Sequence, residues 1–314
     1  MPPWIIKAAV QGTLSRLPQP QKLNRLFQTY VTRSLELTER HFFSKWGQAE
    51  NHLAHYSRVH GERIPTDAVE LGTGWYPVVP IGLALAGVRR VVSIDMQPLL
   101  SKPRIVQVLE RYGDSIAAGR IHLPDRSAAE RVRRALERSA DLDERQLLAS
   151  LGVQTLLADA ARTGLPTDSV DLFVSNNTLE HIPGEVILKI LEEFRRIGKP
   201  DCVSSQFIDM GDHYAGFDRR ITVLNFLRFS ERSWRWFNNT LQYQNRLRLP
   251  DFRRLHAEAG WRVIHEDNRE EPLEVLRRIT LADRFRQYSE DEVRIFETWM
   301  VATPELGSQS GVER

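Results

Sequence analysis

An α/β fold built around a mostly parallel sheet is predicted by two features of the sequence. After residue 65, short apolar runs alternate with helical stretches, which is typical of parallel strands joined by crossover helices. The first run ends in a glycine pair, Gly72 and Gly74, where a strand would turn into a helix. The candidate strands are 68–71, 91–95, 153–158, 170–175, 203–209, 261–266 and 293–302.

Helices are predicted between these strands from the spacing of their apolar residues. The candidates are 79–86, 98–112, 127–150, 185–197 and 250–259, the last of them ended by Gly260. Because 128–148 contains no glycine or proline, we expect one continuous, solvated helix there. The core thus spans 65–210, and 250–304 adds a closing helix and strands.

Three segments lie outside this core. Residues 1–64 are predicted to form an N-terminal helical extension, with an apolar stripe over 23–35 that packs on the core. Residues 211–249 are rich in aromatic, Arg and Asn side chains, which indicates a lid-like, substrate-covering insertion after the fifth strand. Residues 305–314 read as a flexible tail. The amphipathic first segment favours a packing helix, and peripheral contact with a membrane is its alternative.

The composition argues against nucleic acid as a partner. The 314 residues carry a formal net charge of only +2, so no overall field attracts a polyanion. A single cysteine, Cys202, rules out an intramolecular disulfide and a cysteine-rich zinc site, which fits a cytoplasmic location. We recognise no signal peptide, and the uncharged run 71–88 has too many glycines and prolines for a transmembrane helix. The oligomeric state is left open.

The glycine turn and the end of the second strand together indicate a nucleoside-containing cofactor. Gly72 and Gly74 let the backbone approach a ligand closely, since neither carries a Cβ. Asp95 follows about 20 residues later, the spacing at which a carboxylate accepts hydrogen bonds from ribose hydroxyls. Bulky residues at 75–77 fill the turn where a pyrophosphate would need space, which disfavours NAD.

Four motifs in order resemble the class I S-adenosylmethionine-dependent methyltransferases, in particular the small-molecule group called type 11. They are Glu70-Leu71-Gly72-Thr73-Gly74, Asp95, Asp159-Ala160 and Leu179-Glu180-His181-Ile182. The resemblance covers roughly 66–210. It implies a Rossmann-like, seven-stranded sheet with helices on both faces and an antiparallel last strand. At Tyr76 the chain departs from the commonest family pattern, which has a third glycine there.

The resemblance also implies which residues hold the cofactor, S-adenosylmethionine, whose product is S-adenosylhomocysteine. Glu70, Gly72 and Gly74 would surround the methionine portion, and Asp95 would contact the ribose. Asp159 with Ala160 would contact the adenine, and Asn176 would line the channel near the sulfonium. Thr73 and Met96 belong to the same predicted set.

Methyl transfer to a hydroxyl needs a base as the new bond forms. His213 follows the fifth strand at the edge where ligands bind in open α/β sheets, and we expect it to be that base, oriented by Asp209 or Asp212. Binding of a divalent ion by these three residues is the alternative, but no metal is predicted because nothing nearby supplies a further ligand. His181 is a second candidate base, although its position favours capping.

The insertion predicts a polyhydroxylated or anionic acceptor, because amide and guanidinium donors lie beside aromatic rings. The residues expected to bind it are Tyr214, Asn245, Arg246 and Arg248, with the two arginines holding a phosphate or carboxylate. His-Tyr followed by Asn-Phe-Leu and Gln-Asn-Arg-Leu-Arg is similar to stretches in methyltransferases of surface-polysaccharide pathways.

The sequence therefore predicts a methyltransferase that O-methylates a sugar, a glycan-linked molecule or another small polar acceptor. One alternative is an NAD-dependent oxidoreductase or epimerase on a related sheet. Residues 75–77 and the absence of a Tyr-x-x-x-Lys pair disfavour it. The other alternative is a non-catalytic scaffold that keeps the fold and the cofactor.

Overall fold

The computed structural model describes residues 3–14, 36–125, 127–239 and 243–305. Within these ranges seven strands form one sheet, in the order β3-β2-β1-β4-β5-β7-β6. They are β1 (Asp67–Leu71), β2 (Arg90–Asp95), β3 (Val153–Leu157), β4 (Val170–Asn176), β5 (Gly198–Asp209), β6 (Trp261–Glu270) and β7 (Ile295–Pro304). β7 runs antiparallel to both of its neighbours, and the other pairs are parallel. The predicted Rossmann-like sheet with an antiparallel last strand is confirmed.

Helices cover both faces of this sheet. They are α1 (Pro3–Leu14), α2 (Glu39–His60), α3 (Val78–Leu85), α4 (Lys102–Ala117), α5 (Ala128–Glu137), α6 (Glu144–Ala149), α7 (Gly184–Ile197), α8 (Glu231–Trp234), α9 (Leu249–Glu258), α10 (Leu273–Arg277) and α11 (Glu290–Arg294). Short 3-10 helices lie at Leu179–His181, Asn225–Arg228 and Asp283–Phe285. One apolar core joins the sheet to α2, α3 and α4, and a second joins it to α7 and α9.

The central strands set the position of the site. Every residue of β1 and of β4 is buried, as expected of parallel strands covered on both faces. Parallel strands bring their carboxyl ends to one edge of a sheet, where open α/β folds bind their ligands. Here that edge is formed by the ends of β1, β2, β4 and β5, at Leu71, Asp95, Asn176 and Asp209.

The stretch 127–150 differs from the prediction of one continuous helix, which was wrong. The chain leaves α5 after Glu137 and starts α6 at Glu144. Asp143 caps α6: its Oδ1 accepts from Gln146 N at 2.8 Å, and Gln146 Oε1 accepts from Asp143 N at 3.0 Å. This reciprocal capping box satisfies the free N–H groups at a helix start and favours a new helix over continuation of the old one.

The first helix packs against the aromatic insertion. Trp4 is 4% exposed, and its ring centroid lies 5.6 Å from that of Tyr214, 5.8 Å from Phe229 and 5.0 Å from Phe237. The apolar side of α1 thus helps to build a third apolar core. The predicted stripe over 23–35 and most of the predicted tail, 306–314, lie outside the described residues. Among the helices that are described, none has the length and apolarity needed to cross a membrane.

Candidate active site

The turn after β1 is shaped by two glycines whose backbone is left-handed. φ is +83° at Gly72 and +66° at Gly74, values that residues with a Cβ rarely adopt. A Cβ on Gly72 would overlap the side chain of Thr178, just beyond β4, so glycine is what lets these two strand ends meet. At Gly74 no atom lies within 4 Å of the position of a Cβ. The predicted glycine turn therefore borders open space that a ligand can use.

The carboxylate of Asp95 is held in place by two backbone N–H groups. Gly74 N donates to Oδ2 at 3.1 Å, and Gln97 N donates to Oδ1 at 2.9 Å. Asp95 and Gly74 line one cleft together with residues that follow β2 and residues of β3. Asp95 thus lies where the glycine turn and the cleft meet, which suits the ribose-binding role expected of it.

Near the glycine turn, the side chains of Glu70 and Lys45 carry opposite charges and lie close enough to interact. Glu70, 3% exposed, accepts a hydrogen bond from Ser93 Oγ, and burial raises the pKa of its carboxyl to about 7. Lys45 of α2 donates from Nζ to Asn177 Oδ1 at 3.5 Å. Burial lowers the pKa of Lys45, while the charges of Glu70 and Glu180 oppose that shift. An ammonium group and a carboxyl group that lie close together complement the two opposite charges of a zwitterionic ligand.

The end of β3 carries the predicted adenine residues. Asp159 is exposed, and its Oδ1 accepts from Ala161 N at 2.9 Å. Ala158 N donates to the carbonyl of Asp95 at 3.2 Å, which ties the ends of β2 and β3 together. Ala160 is 4% exposed and packs in the core, whereas the Met96 side chain is 74% exposed. Asp159 and Met96 are therefore accessible to a ligand at this edge.

Asn176 at the end of β4 belongs to a buried polar network with α2. Its Oδ1 lies 3.2 Å from His52 Nε2, and Ser205 Oγ on β5 lies 2.8 Å from Nδ1 of both His52 and His55. Burial lowers the pKa of His52 to about 3 and that of His55 to about 4, so both rings are neutral at pH 7. The amide nitrogen of Asn176 is buried without a partner among the described residues.

The predicted catalytic residues after β5 separate into a pair and a structural acid. His213 Nε2 lies 3.3 Å from Asp209 Oδ2, and both side chains are partly exposed. Asp212 is 2% exposed and accepts instead from Asn225 Nδ2 and from Tyr214 N, each at 2.9 Å. Asp209 is therefore the acid in position to orient His213. The expectation that Asp212 could do so is corrected, because its oxygens hold the insertion together.

The 3-10 helix after β4 brings two more groups to the same place. The rings of His181 and His213 are 5.0 Å apart at 64°, and His181 Nδ1 lies 2.7 Å from the carbonyl of Tyr243. Glu180 is 2% exposed, and burial, followed by the charge of Asp209, raises the pKa of its carboxyl well above its usual value. Glu180, His181, Asp209 and His213 therefore converge, although α7 separates β4 from β5 in the sequence.

The two arginines predicted to hold an anionic acceptor are structural. Arg248 is fully buried, and its guanidinium donates to the carbonyls of Met210 at 2.6 Å, of Val293 at 2.7 Å and of Ile295. Arg246 is 2% exposed and donates to Phe229 O at 2.6 Å and to Glu231 Oε1 at 2.5 Å. Both side chains are buried and their terminal guanidinium nitrogens donate within the protein, so neither is free to bind a phosphate or carboxylate.

The other two predicted acceptor residues also have partners within the fold. Tyr214 is 1% exposed and donates from its hydroxyl to Phe237 O at 3.0 Å. Asn245 Nδ2 donates to the carbonyls of Leu179 at 2.8 Å and Ile182 at 2.7 Å, on either side of Glu180 and His181. Tyr214 supports the insertion, and Asn245 fixes the turn that presents Glu180 and His181.

Comparison with known families gives the fold a chemical class. Residues 108–204 match the model of a family described as the methyltransferase domain. This stretch of the chain is similar to that methyltransferase domain. The match spans α4 to β5, including Asp159, Asn176 and Glu180, whereas the glycine turn and Asp95 precede it. The resemblance to class I methyltransferases is confirmed, and the match agrees with the predicted cofactor, S-adenosylmethionine.

Solved structures that resemble the chain include methyltransferases. An S-adenosylmethionine-dependent methyltransferase from Methanosarcina mazei is 12% identical with a TM-score of 0.41, covering 78% of this chain and 94% of the other. Geranyl diphosphate C-methyltransferase from Streptomyces coelicolor A3(2) is 11% identical with a TM-score of 0.45, covering 85% and 84%. Similarity at this level does not identify an acceptor. No curated protein matches the chain.

Sequence reasoning did not find Lys45 and did not assign Glu180 a chemical role. Lys45 lies in α2, outside every motif, and its neighbours Glu70 and Glu180 are brought to it by the fold. Glu180 stood within a family motif, but its unpartnered burial could not be read from its spacing. The nearest signal was the adjacent pair of Glu180 and His181 directly after a strand.

Proposed function

We propose that the protein transfers the methyl group of S-adenosylmethionine to an oxygen atom of a small polar acceptor, such as a sugar or a glycan-linked molecule. The observation that carries the proposal is the contact between the glycine turn and Asp95, made by the hydrogen bond from Gly74 N to Asp95 Oδ2. This contact supports the proposal, because it holds a carboxylate, the kind of group that accepts from ribose hydroxyls, at the mouth of the cleft.

S-adenosylmethionine supplies an activated methyl sulfonium, so the protein has to position the acceptor and take up its proton. In the proposal the acceptor hydroxyl binds beside Asp209 and His213, and this pair takes up the proton. Histidine is the side chain most often used as a general base, and a carboxylate 3.3 Å away orients the ring of His213.

A groove beside His181 supports a polar acceptor. Its wall includes the exposed, charged side chains of Glu185 and Arg235. Tyr243, whose carbonyl contacts His181, lies in its wall. Charged groups of this kind recognise hydroxyl-rich molecules better than apolar ones. We therefore expect the acceptor to bind in this groove and not at the buried guanidinium groups of Arg246 and Arg248.

The test is a screen for S-adenosylhomocysteine release with sugar nucleotides, lipid-linked glycans and free sugars as acceptors. The Asp95→Ala variant is the matched control, because it removes the ribose acceptor and leaves Asp209 and His213 in place. We expect it to bind S-adenosylhomocysteine at least about tenfold more weakly, since charge-assisted hydrogen bonds are lost. Unchanged affinity in that variant, or saturable binding of NAD but not of S-adenosylhomocysteine by the wild type, would contradict the proposal.

A further inference from the structure

Three potential metal ligands converge at the carboxyl edge of the sheet. They are Glu180 and His181 on the 3-10 helix after β4, and His213 after β5. One ligand atom of each lies within 4.8 Å of the ligand atoms of the other two. Ligands of one Zn²⁺ ion, each bound at about 2.0–2.2 Å, lie about 3–4 Å from one another. Small rotations of these side chains are enough to close around an ion.

Glu180 is an independent sign that something binds here. Its side chain is 2% exposed, and both carboxylate oxygens are buried without a hydrogen-bond partner among the described residues. Buried carboxylates without partners are costly, and in folded proteins they are normally paired, hydrogen-bonded or bound to a metal. The charge of Lys45 acts on this carboxyl without a hydrogen bond to it, whereas a coordinated metal ion would contact its oxygens directly.

The histidines are held in a way that suits coordination. His181 Nδ1 lies 2.7 Å from the carbonyl of Tyr243, so Nδ1 carries the hydrogen and Nε2 keeps its lone pair. Metal-binding histidines commonly donate their second N–H group to a carbonyl or carboxylate in this manner. Asn245 fixes the turn through Leu179 O and Ile182 O, and Asp209 lies 3.3 Å from His213.

We propose that Glu180, His181 and His213 bind a divalent transition-metal ion of the Zn²⁺, Mn²⁺ or Fe²⁺ class. Two imidazoles and one carboxylate favour these ions over Mg²⁺ and Ca²⁺, which prefer oxygen ligands only. Three protein ligands leave coordination positions open, as in catalytic metal sites. The proposal departs from the expectation of no metal, because Glu180 and His181 offer ligand atoms near His213 that its neighbours in the sequence do not.

The chemical role of the ion rests on the proposed function, whereas its binding does not. An acceptor hydroxyl at an open coordination position becomes more acidic. With His213 engaged as a ligand, Asp209, the other member of the pair described under the proposed function, takes the proton. The acceptor oxygen then forms its bond to the methyl carbon as the carbon–sulfur bond breaks, and the electron pair of that bond stays on S-adenosylhomocysteine.

Titration calorimetry of the chelator-treated protein with Zn²⁺ tests the site directly. We expect one ion per chain and at least tenfold weaker binding in both Glu180→Gln and His181→Gln. His181 is exposed, so its variant is informative even if Glu180→Gln fails to fold. His265→Gln is the matched control, because His265 lies beside His55, with ring centroids 6.0 Å apart, in a second histidine group. This control should bind Zn²⁺ like the wild type.

The absorption spectrum of the Co²⁺-loaded protein provides a second readout, in which His213→Ala should change the visible bands. Absence of Zn²⁺ binding by the wild type, or binding lost only in His265→Gln, would overturn the metal site. Binding of S-adenosylhomocysteine by the metal-free protein separates the two proposals. If that binding is normal while Zn²⁺ does not bind, the metal site fails and the methyltransferase proposal stands.

Discussion

The backbone of Gly72 lies directly against the side chain of Thr178 at the carboxyl edge of the sheet. A Cβ on Gly72 would overlap the threonine side chain, whose Oγ1 donates to the carbonyl of Leu71 at 3.2 Å. We expect Gly72→Ala to lower the free energy of unfolding by about 2–4 kcal/mol, because a left-handed φ and an overlap with a packed neighbour both add strain. Urea denaturation measures this change.

Gly119→Ala is the control for Gly72→Ala. Gly119 has φ +66° with no atom within 4 Å of the position of a Cβ, so the variant bears the backbone strain alone. It should lose only about 1 kcal/mol. Equal losses in the two variants would show that Thr178 does not restrict this turn.

Lys45 is predicted to contact the carboxylate of the cofactor's methionine portion. Lys45→Met should weaken the binding of S-adenosylhomocysteine about tenfold, since one charge-assisted hydrogen bond is lost. Methylthioadenosine lacks that carboxylate and should bind the variant as it binds the wild type. Calorimetry with both ligands separates the effects, and Lys189→Met, on an exposed position of α7, controls for loss of charge. Equal weakening of both ligands would place Lys45 elsewhere.

His213 is predicted to act on the acceptor and not on the cofactor. His213→Ala should lower kcat for methyl transfer by at least about 100-fold, the usual size of a lost proton-transfer group. The affinity for S-adenosylhomocysteine should stay within about twofold of the wild type. His122→Ala, at an exposed position before α5, should leave both quantities unchanged. Normal turnover by the His213 variant would remove this residue from the mechanism.

Arg248 is predicted to stabilise the fold without binding the acceptor. Arg248→Met would leave three buried carbonyls without their donor, so we expect a loss of at least about 3 kcal/mol in the free energy of unfolding. Arg232→Met, on exposed α8, should change stability by less than about 0.5 kcal/mol. If Arg248→Met were stable but inactive, the original assignment to the acceptor would return.

His256 is predicted to make the protein less stable in acid. Burial lowers its pKa in the folded state from 6.5 to about 4, so between these values the unfolded chain binds more protons. Stability is then lost as the pH falls through this range, by about 2 kcal/mol from this residue between pH 7.5 and pH 5. Urea denaturation at both pH values should show a smaller drop for His256→Gln. An identical drop would mean that the residue does not titrate as stated.

The sheet was predictable because each strand carries a local signal, whereas the chemistry at its edge depends on residues far apart in sequence. The glycine turn and Asp95 lie on consecutive strands, so their meeting followed from the fold class. Glu180 and His213 meet only because β4 and β5 are neighbours and the loops beyond them bend toward each other. The spacing of residues in the sequence does not predict how these two loops bend.

Burial was the other property that the sequence did not reveal. Arg246 and Arg248 look like anion-binding residues in an Arg-rich stretch, but the fold places carbonyls of the insertion and of the segment before β7 around them. The break between α5 and α6 was readable in principle. Asp143 and Gln146 form the reciprocal cap that marks a helix start, and this local signal outweighs the helix propensity of the residues around it.

The hydroxyl that His52 and His55 share has one hydrogen, so the two rings must be opposite tautomers. His52 Nε2–H donates to Asn176 Oδ1, which leaves its Nδ1 to accept from Ser205, and His55 must then donate to that oxygen. All of these hydrogen bonds therefore point in one direction, from His55 on α2 through Ser205 and His52 to Asn176 at the end of β4. A substitution at His55 would therefore be transmitted to the amide of Asn176, two side chains away.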